Sequence, residues 1–195
     1  MKTLCVYCGS SFGTSPRYAE AARELAGAMV KRGIALVYGG GNVGLMGTIA
    51  DEVLRLGGEV TGVIPKALME REVGHHGLTR LHVVENMHER KALMAELSEG
   101  FIAMPGGIGT LEELFEVTTW AQLNFHDKPI GVLNVDGYYN ALLYFIVHAT
   151  EQGFLKKQHA SLLMVEPNPA ALLARFDTFE SKPHDKLKDL VRTQG

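Results

Sequence analysis

Lys2–Gly44 reads KTLCVYCGSSFGTSPRYAEAARELAGAMVKRGIALVYGGGNVG, and three signals within it decide the fold. Lys2–Cys8 is a short apolar run that stops at Gly9-Ser10, the pattern of a buried strand. Ser15-Pro16 then supplies an N-cap and a first-turn proline, which predicts a helix as far as Lys31. Gly33 ends that helix, and Ile34–Tyr38 is a second apolar strand running into Gly39-Gly40-Gly41. Strand, helix, strand, with a glycine turn after each strand, is how a parallel sheet begins.

The same alternation continues along the chain. Leu45–Leu56 reads as a helix closed by Gly57-Gly58, and Glu59–Ile64 as a third strand. Pro65–Arg80 is less regular and is expected to be a loop or a short exposed helix. Leu81–Glu85, Phe101–Met104, Ile130–Asn134 and Ser161–Val165 read as strands. Met87–Ser98, Leu111–Leu123, Tyr138–Gln152 and Ala170–Phe179 read as the helices between and after them. The prediction is an α/β, Rossmann-like doubly wound fold: a mostly parallel sheet with helices on both faces. Residues 1–180 form one nucleotide-binding catalytic domain in this reading, and 181–195 a polar tail that frays. Ligands in such folds sit beyond the carboxyl ends of the strands, so function is sought there.

Bulk properties exclude several classes of partner. The net charge is −3, and the longest basic cluster is Lys156-Lys157, which is no footprint for nucleic acid or an anionic membrane. The longest apolar run, Ala141–Val147, falls far short of the roughly 20 residues that span a bilayer. The first apolar run is too short for a signal peptide, so a cytoplasmic chain is expected. Cys5-x-x-Cys8 lies in a strand instead of opening a helix, which argues against redox chemistry. His75-His76 lack a third ligand at metal spacing, so no metal site is predicted.

Three glycine-rich turns fall where the strand-end rule directs attention. They are Cys8-Gly9-Ser10-Ser11, Gly39-Gly40-Gly41-Asn42-Val43-Gly44 and Pro105-Gly106-Gly107-Ile108-Gly109-Thr110. Glycine lets backbone N–H groups approach a phosphate closely, and a helix N-terminus adds a favourable dipole. One such turn is explained by tight strand-to-helix geometry; three at one sheet edge point to a nucleotide, with Gly9, Ser10, Gly40, Gly41 and Gly106 among its contacts. The second turn also fits the dinucleotide fingerprint, with Glu59 at the distance of a ribose contact. Nothing downstream reads as a hydride-transfer site, which weighs against a nicotinamide cofactor.

Glu113 carries two readings. Thr110 and Glu113 have the spacing of a capping box, a purely structural role. Alternatively the glycine amides and Thr110 hold a phosphate while Glu113, kept ionised by the helix dipole, faces the sugar. Arg90 favours the second. It lies three residues after Met87 and four before Met94, on or beside an apolar stripe where an unpaired cation is costly. A carboxylate or phosphate at the sheet edge satisfies it; snorkelling to solvent is the competing explanation. Lys91 reads as a solvated or phosphate-facing charge, and Trp120 as a pocket wall or plain packing.

Taken together these residues resemble the Lonely Guy family of cytokinin riboside 5′-monophosphate phosphoribohydrolases, once labelled lysine decarboxylases. The element P-G-G-x-G-T-x-x-E runs from Pro105 to Glu113, and Met87-His88-Glu89-Arg90-Lys91 precedes it. Around them stand Cys8-Gly9-Ser10-Ser11, Tyr38-Gly39-Gly40-Gly41, Gly44-Leu45-Met46-Gly47 and Thr119-Trp120-Ala121-Gln122-Leu123, so the likeness covers about Lys2 to Phe179. The resemblance implies a homodimer that hydrolyses the N-glycosidic bond of AMP or a prenylated AMP, giving free base and ribose 5-phosphate. It implies Arg90 and Glu113 as the catalytic pair. Lys91, Gly107, Ile108, Gly109, Thr110, Leu111, Glu112 and Thr119 would line the nucleotide site, and Glu72 would be a further contact. No metal or organic cofactor is implied, and no pyridoxal-phosphate lysine motif supports the decarboxylase label. The alternative is a non-catalytic nucleotide-binding or carrier protein on the same fold. The Ala141–Val147 helix, read as core or a subunit contact, also favours a dimer.

Overall fold

Leu4, Val6 and Cys8 pack into one hydrophobic layer while Cys5 and Tyr7 pack into another, so β1 (Thr3–Tyr7) is covered on both faces. That is why its sequence is continuously apolar instead of alternating. In the computed structural model, which describes residues 1–69 and 74–181, β1 lies near the middle of a seven-stranded parallel sheet. The other strands are β2 (Ala35–Tyr38), β3 (Val60–Pro65), β4 (Arg80–Val84), β5 (Phe101–Ala103), β6 (Ile130–Leu133) and β7 (Leu163–Glu166). Their order is β4-β3-β2-β1-β5-β6-β7. The chain steps outward from β1 to β4, crosses back, and lays β5 on the other side of β1, in the register Cys5↔Phe101 and Tyr7↔Ala103. This reversal between β1 and β5 opens a crevice at their carboxyl ends. The doubly wound α/β fold expected from the sequence is the fold observed.

The helices are α1 (Pro16–Lys31), α2 (Gly44–Arg55), α3 (Lys66–Met69), α4 (Met87–Glu96), α5 (Ile108–Gln122), α6 (Asn140–Glu151), α7 (Lys157–Ala160) and α8 (Pro169–Asp177). Buried residues of α1, α2 and α8 fill the layer on one face of the sheet. Met94 of α4 and Leu114, Val117 and Ala121 of α5 fill the layer on the other. Ser15 caps α1, accepting the Arg17 N–H at 3.3 Å, and Gly33 follows the helix at φ +68°. Asn86 caps α4, accepting the Glu89 N–H at 2.9 Å, while Glu89 reaches back to the Glu85 N–H at 3.0 Å.

Several sequence expectations are corrected. Helix α5 starts at Ile108, three residues before Leu111, so Gly107 is the N-cap and Thr110 sits inside the first turn. The proposed Thr110–Glu113 capping box therefore does not form. β3 extends through Pro65 into α3, and a 3₁₀ turn (Val135–Gly137) precedes α6. The last strand, read from Ser161, begins at Leu163 and is preceded by the short helix α7. The Ala141–Val147 stretch is only partly core: Ile146 is buried and Leu142 and Leu143 pack against the core, whereas Tyr144 and Phe145 are 76% and 62% exposed. Glu72 and tail residues 182–195 lie outside the described residues.

Candidate active site

The crevice at the reversal point is floored by two glycine turns in contact. Gly9 donates its N–H to the Pro105 carbonyl at 3.0 Å, and a side chain on Gly106 would collide with Thr110 and with the Gly9 amide. Glycine at 9 and 106 is thus what lets the turns after β1 and β5 meet. Tyr138 clamps this floor, its hydroxyl donating to the Gly106 carbonyl at 2.6 Å. Beside it opens a cavity of about 270 Å³ whose lining includes Gly9, Ser10, Phe12, Tyr18, Gly107 and Tyr138.

Helix α5 begins at this floor with no side-chain cap. The amides of its first turn, Ile108, Gly109 and Thr110, have no carbonyl behind them within the helix. Space is open where Gly107 and Gly109 would carry side chains, and Ile108 is exposed. Such an end presents donors and partial positive charge to an anion. The turn after β2 behaves differently. The Leu45 and Met46 N–H groups at the start of α2 point at the Gly9 carbonyl, at 3.0 and 3.4 Å. Gly40 (φ +73°) and Gly41 are buried, and segment 74–75 covers them through the His75 N–H bond to the Gly40 carbonyl and a Gly41–Gly74 bridge.

Arg90 and Glu113 meet on the same side of the sheet as α4 and α5. Each is 9% exposed, and Arg90 Nη1 lies 3.1 Å from Glu113 Oε1. Arg90 Nε donates to the Val63 carbonyl at 3.2 Å. A methyl group on Gly39 would collide with Arg90 Nη2, so the glycine leaves the room in which the guanidinium lies. The cation near the apolar stripe of α4 thus finds a carboxylate, and the snorkelling alternative falls. Lys91 is buried too, donating to Glu112 at 2.5 Å and Glu116 at 2.9 Å. Burial opposes its charge, but these carboxylates outweigh it and hold Lys91 above the usual lysine range. It is neither solvated nor turned to a free phosphate, as its sequence context suggested.

Glu113 is not held firmly ionised as the dipole argument expected. It lies in the second turn of α5, and burial pushes its carboxyl up to about 7, against the lowering effect of Arg90. A buried carboxyl titrating near neutrality can both take and give a proton at physiological pH.

The remaining predicted residues are placed as follows. Gly9, Ser10, Gly106, Gly107, Ile108, Gly109 and Thr110 all border the crevice floor or the open end of α5. Leu111 is half-buried and packs with the core beneath α5. Glu112 is tied to Lys91. Thr119 is exposed on α5, six residues and about 9 Å of helix beyond Glu113. Trp120 packs against the core layer under α5. Sequence reading missed Gly39 as the seat of Arg90, the Val63 carbonyl, and Glu116; of these only Gly39 stood in a motif that drew attention.

Other readings lose their footing. Cys5 and Cys8 are buried, unpaired and packed on opposite faces of the sheet. Glu59 precedes β3 at the amino edge, the far side of the sheet from the glycine turns, where it pairs with Arg80 at 3.8 Å. The dinucleotide fingerprint therefore lacks its ribose partner. Among the described residues, no cluster of three metal-ligating side chains occurs, and no helix is long and apolar enough to cross a membrane.

Comparison with known proteins adds a chemical class. Residues 46–176 match the family described as possible lysine decarboxylase. A cytokinin riboside 5′-monophosphate phosphoribohydrolase of Arabidopsis thaliana is 50% identical over 190 residues, covering 97% of this chain and 88% of that protein. A probable enzyme of the same name from Oryza sativa subsp. japonica is 50% identical over 186 residues, covering 95% and 76%. Among solved structures, the molybdenum cofactor carrier protein of Chlamydomonas reinhardtii superposes with a TM-score of 0.69 at 21% identity, covering 91% of this chain and 96% of that one. The molybdenum cofactor binding protein of Rippkaea orientalis gives 0.69 at 19% identity, covering 91% and 97%. These structures share the fold; at such identity they carry nothing about the ligand.

Proposed function

The chain belongs to the cytokinin riboside 5′-monophosphate phosphoribohydrolases, and from that premise we propose that Arg90 and Glu113 form its catalytic pair. It is a hydrolase of the N-glycosidic bond of a nucleoside 5′-monophosphate. The observation that carries the assignment of residues is the buried Arg90–Glu113 contact standing on the helix whose open first turn faces the crevice.

In this reading the Ile108, Gly109 and Thr110 amides hold the 5′-phosphate, with Gly9, Ser10, Gly106 and Gly107 shaping the floor. Glu113 lies five residues on from Ile108, a rise of about 7.5 Å, comparable with the span from phosphate to anomeric carbon. Fixing the phosphate thereby brings the C1′–N bond toward Glu113, and phosphate binding energy is used for orientation. As that bond lengthens, positive charge develops on the ribose ring, and a carboxylate beside it stabilises that charge. Glu113 accepts a proton from water as the water oxygen bonds to C1′, and the electrons of the breaking C1′–N bond leave with the base, which takes up a proton from solvent water. Arg90 holds Glu113 in place and favours its ionised form. Gly40 and Gly41 support the wall of the site. Thr119 and Glu72 remain proposed substrate contacts on the strength of the resemblance alone.

We place the reaction in the cytoplasm, a reading supported by the unpaired buried cysteines. We also propose a homodimer. Tyr144, Phe145 and Val147 are exposed along α6, an apolar surface of the kind that a second copy covers, and the resemblance points the same way. Light scattering should then give twice the 21.3 kDa chain mass; a monomer at all concentrations overturns this.

Chromatography of the protein incubated with AMP, isopentenyladenosine monophosphate and their phosphate-free nucleosides tests the function. Free base is expected from the monophosphates only, and the two rates rank plain against prenylated substrate. Saturable binding without product would instead show a carrier.

A further inference from the structure

Asp51 and His75 lie outside the crevice, yet they tie together the wall on which Arg90 rests. His75 is 7% exposed, and both ring nitrogens are engaged. Nδ1 accepts the Gly77 N–H at 3.0 Å, so the ring proton is on Nε2, which donates to Asp51 Oδ1 at 2.9 Å. The His75 backbone N–H holds the Gly40 carbonyl at 2.9 Å, and Gly74 bridges to Gly41. One residue before this clamped turn stands Gly39, against which the Arg90 guanidinium lies. The contacts therefore run unbroken from Asp51 on α2, through His75 and the Gly39–Gly41 turn, to Arg90 and Glu113. Gly40 packs against Val63 and Ile64 of β3, and the hydrogen bond to its carbonyl and the bridge to Gly41 come from the 74–77 segment, which thus helps to fix the turn.

We propose that the Asp51–His75 pair is a positioning clasp for the reaction: it seats segment 74–77 on the glycine turn and so sets where Arg90 presents its guanidinium to Glu113. The clasp rests on the assignment of Arg90 and Glu113 made above. The Asp51 side chain is 67% exposed whereas that of His75 is 9% exposed, so removing the Asp51 carboxylate should alter geometry more than folding.

The test uses Asp51→Ala, His75→Asn and His75→Gln in the full chain. Glutamine places an amide N–H near the position of Nε2 and keeps the bond to Asp51; asparagine reaches only the Nδ1 position and loses it. Asp51→Ala and His75→Asn should lower kcat about tenfold with KM within about twofold, Asp51→Ala with a melting temperature nearly unchanged, and His75→Gln should recover most of the loss. The Arg90 Nε–Hε resonance in ¹⁵N NMR should shift in the first two variants and return in the third. An unmoved resonance, or kcat that tracks only the folded fraction, overturns the clasp. If the wild type released no base while the Arg90 resonance still moved with the clasp, the functional assignment would fail and the clasp would stand.

Discussion

Glu113→Gln should lower kcat for base release by about a thousandfold or more, with nucleotide binding and fold retained. Glutamine keeps an oxygen at Oε1 to accept from Arg90 Nη1, and it occupies the same buried space, so packing gives no reason for a loss. What it removes is the negative charge beside the developing cation and the group that takes the proton from water. The wild-type rate should rise with pH through about 7 and then level, because the ionised carboxylate is the working form. A second readout is independent of turnover. The ordinary glutamate value is 4.5 and the folded value is about 7, so between them the unfolded chain has lost a proton that the native state still holds. Wild-type stability should therefore fall as pH rises across that window, by on the order of 3 kcal/mol, and hold constant above it. Chemical denaturation of Glu113→Gln should lack this component. A folded variant with full activity would return Glu113 to a structural role.

Gly39→Ala is expected to cost about a hundredfold in kcat from a single methyl group. Gly39 does not adopt a left-handed backbone, so alanine meets no strain there. The new Cβ collides with Arg90 Nη2, the far end of a flexible side chain, and that end yields more readily than the sheet. The protein should fold with the guanidinium pushed away from Val63 and Glu113. Arg90 lowers the Glu113 carboxyl against the effect of burial, so its displacement should also move the pH–rate midpoint above 7. A midpoint still at about 7 with wild-type kcat would mean that the seat of Arg90 does not matter.

The sheet was legible because its signals are local. Each strand is a short apolar run, and the turns that end them carry glycine at close backbone contacts, as at Gly9 and Gly106. Arg90 was legible for a similar reason: a cation four residues before buried Met94 demands a partner. The start of α5 was misread because Gly107 and Gly109 look like loop, and no side chain caps the helix to mark its first residue. That error carried into the electrostatics. A carboxylate in the first turn is held ionised, whereas Glu113 one turn deeper is governed by burial beneath α4. The Val63 carbonyl left no trace at all, since a backbone acceptor is independent of the side chain above it. Glu59 misled through counting: the fingerprint turn follows β2 here, so the acidic residue lands at the opposite edge.

The Gly9 carbonyl, aimed at the first amides of α2, has a consequence for what the edge can recognise. A pyrophosphate is ordinarily neutralised where several helix ends or glycine loops converge on it. Here α1 begins only at Pro16, far beyond the strand, with Ser15 closing its end, and the start of α2 is plugged by a carbonyl. The start of α5, by contrast, is left open beside the crevice. If α5 holds the 5′-phosphate as proposed, a second phosphate placed toward the turn after β1 should meet the Gly9 carbonyl instead of free amides. On that reading a nucleoside monophosphate is expected to bind more tightly than the corresponding diphosphate, and competition between AMP and ADP measures the difference.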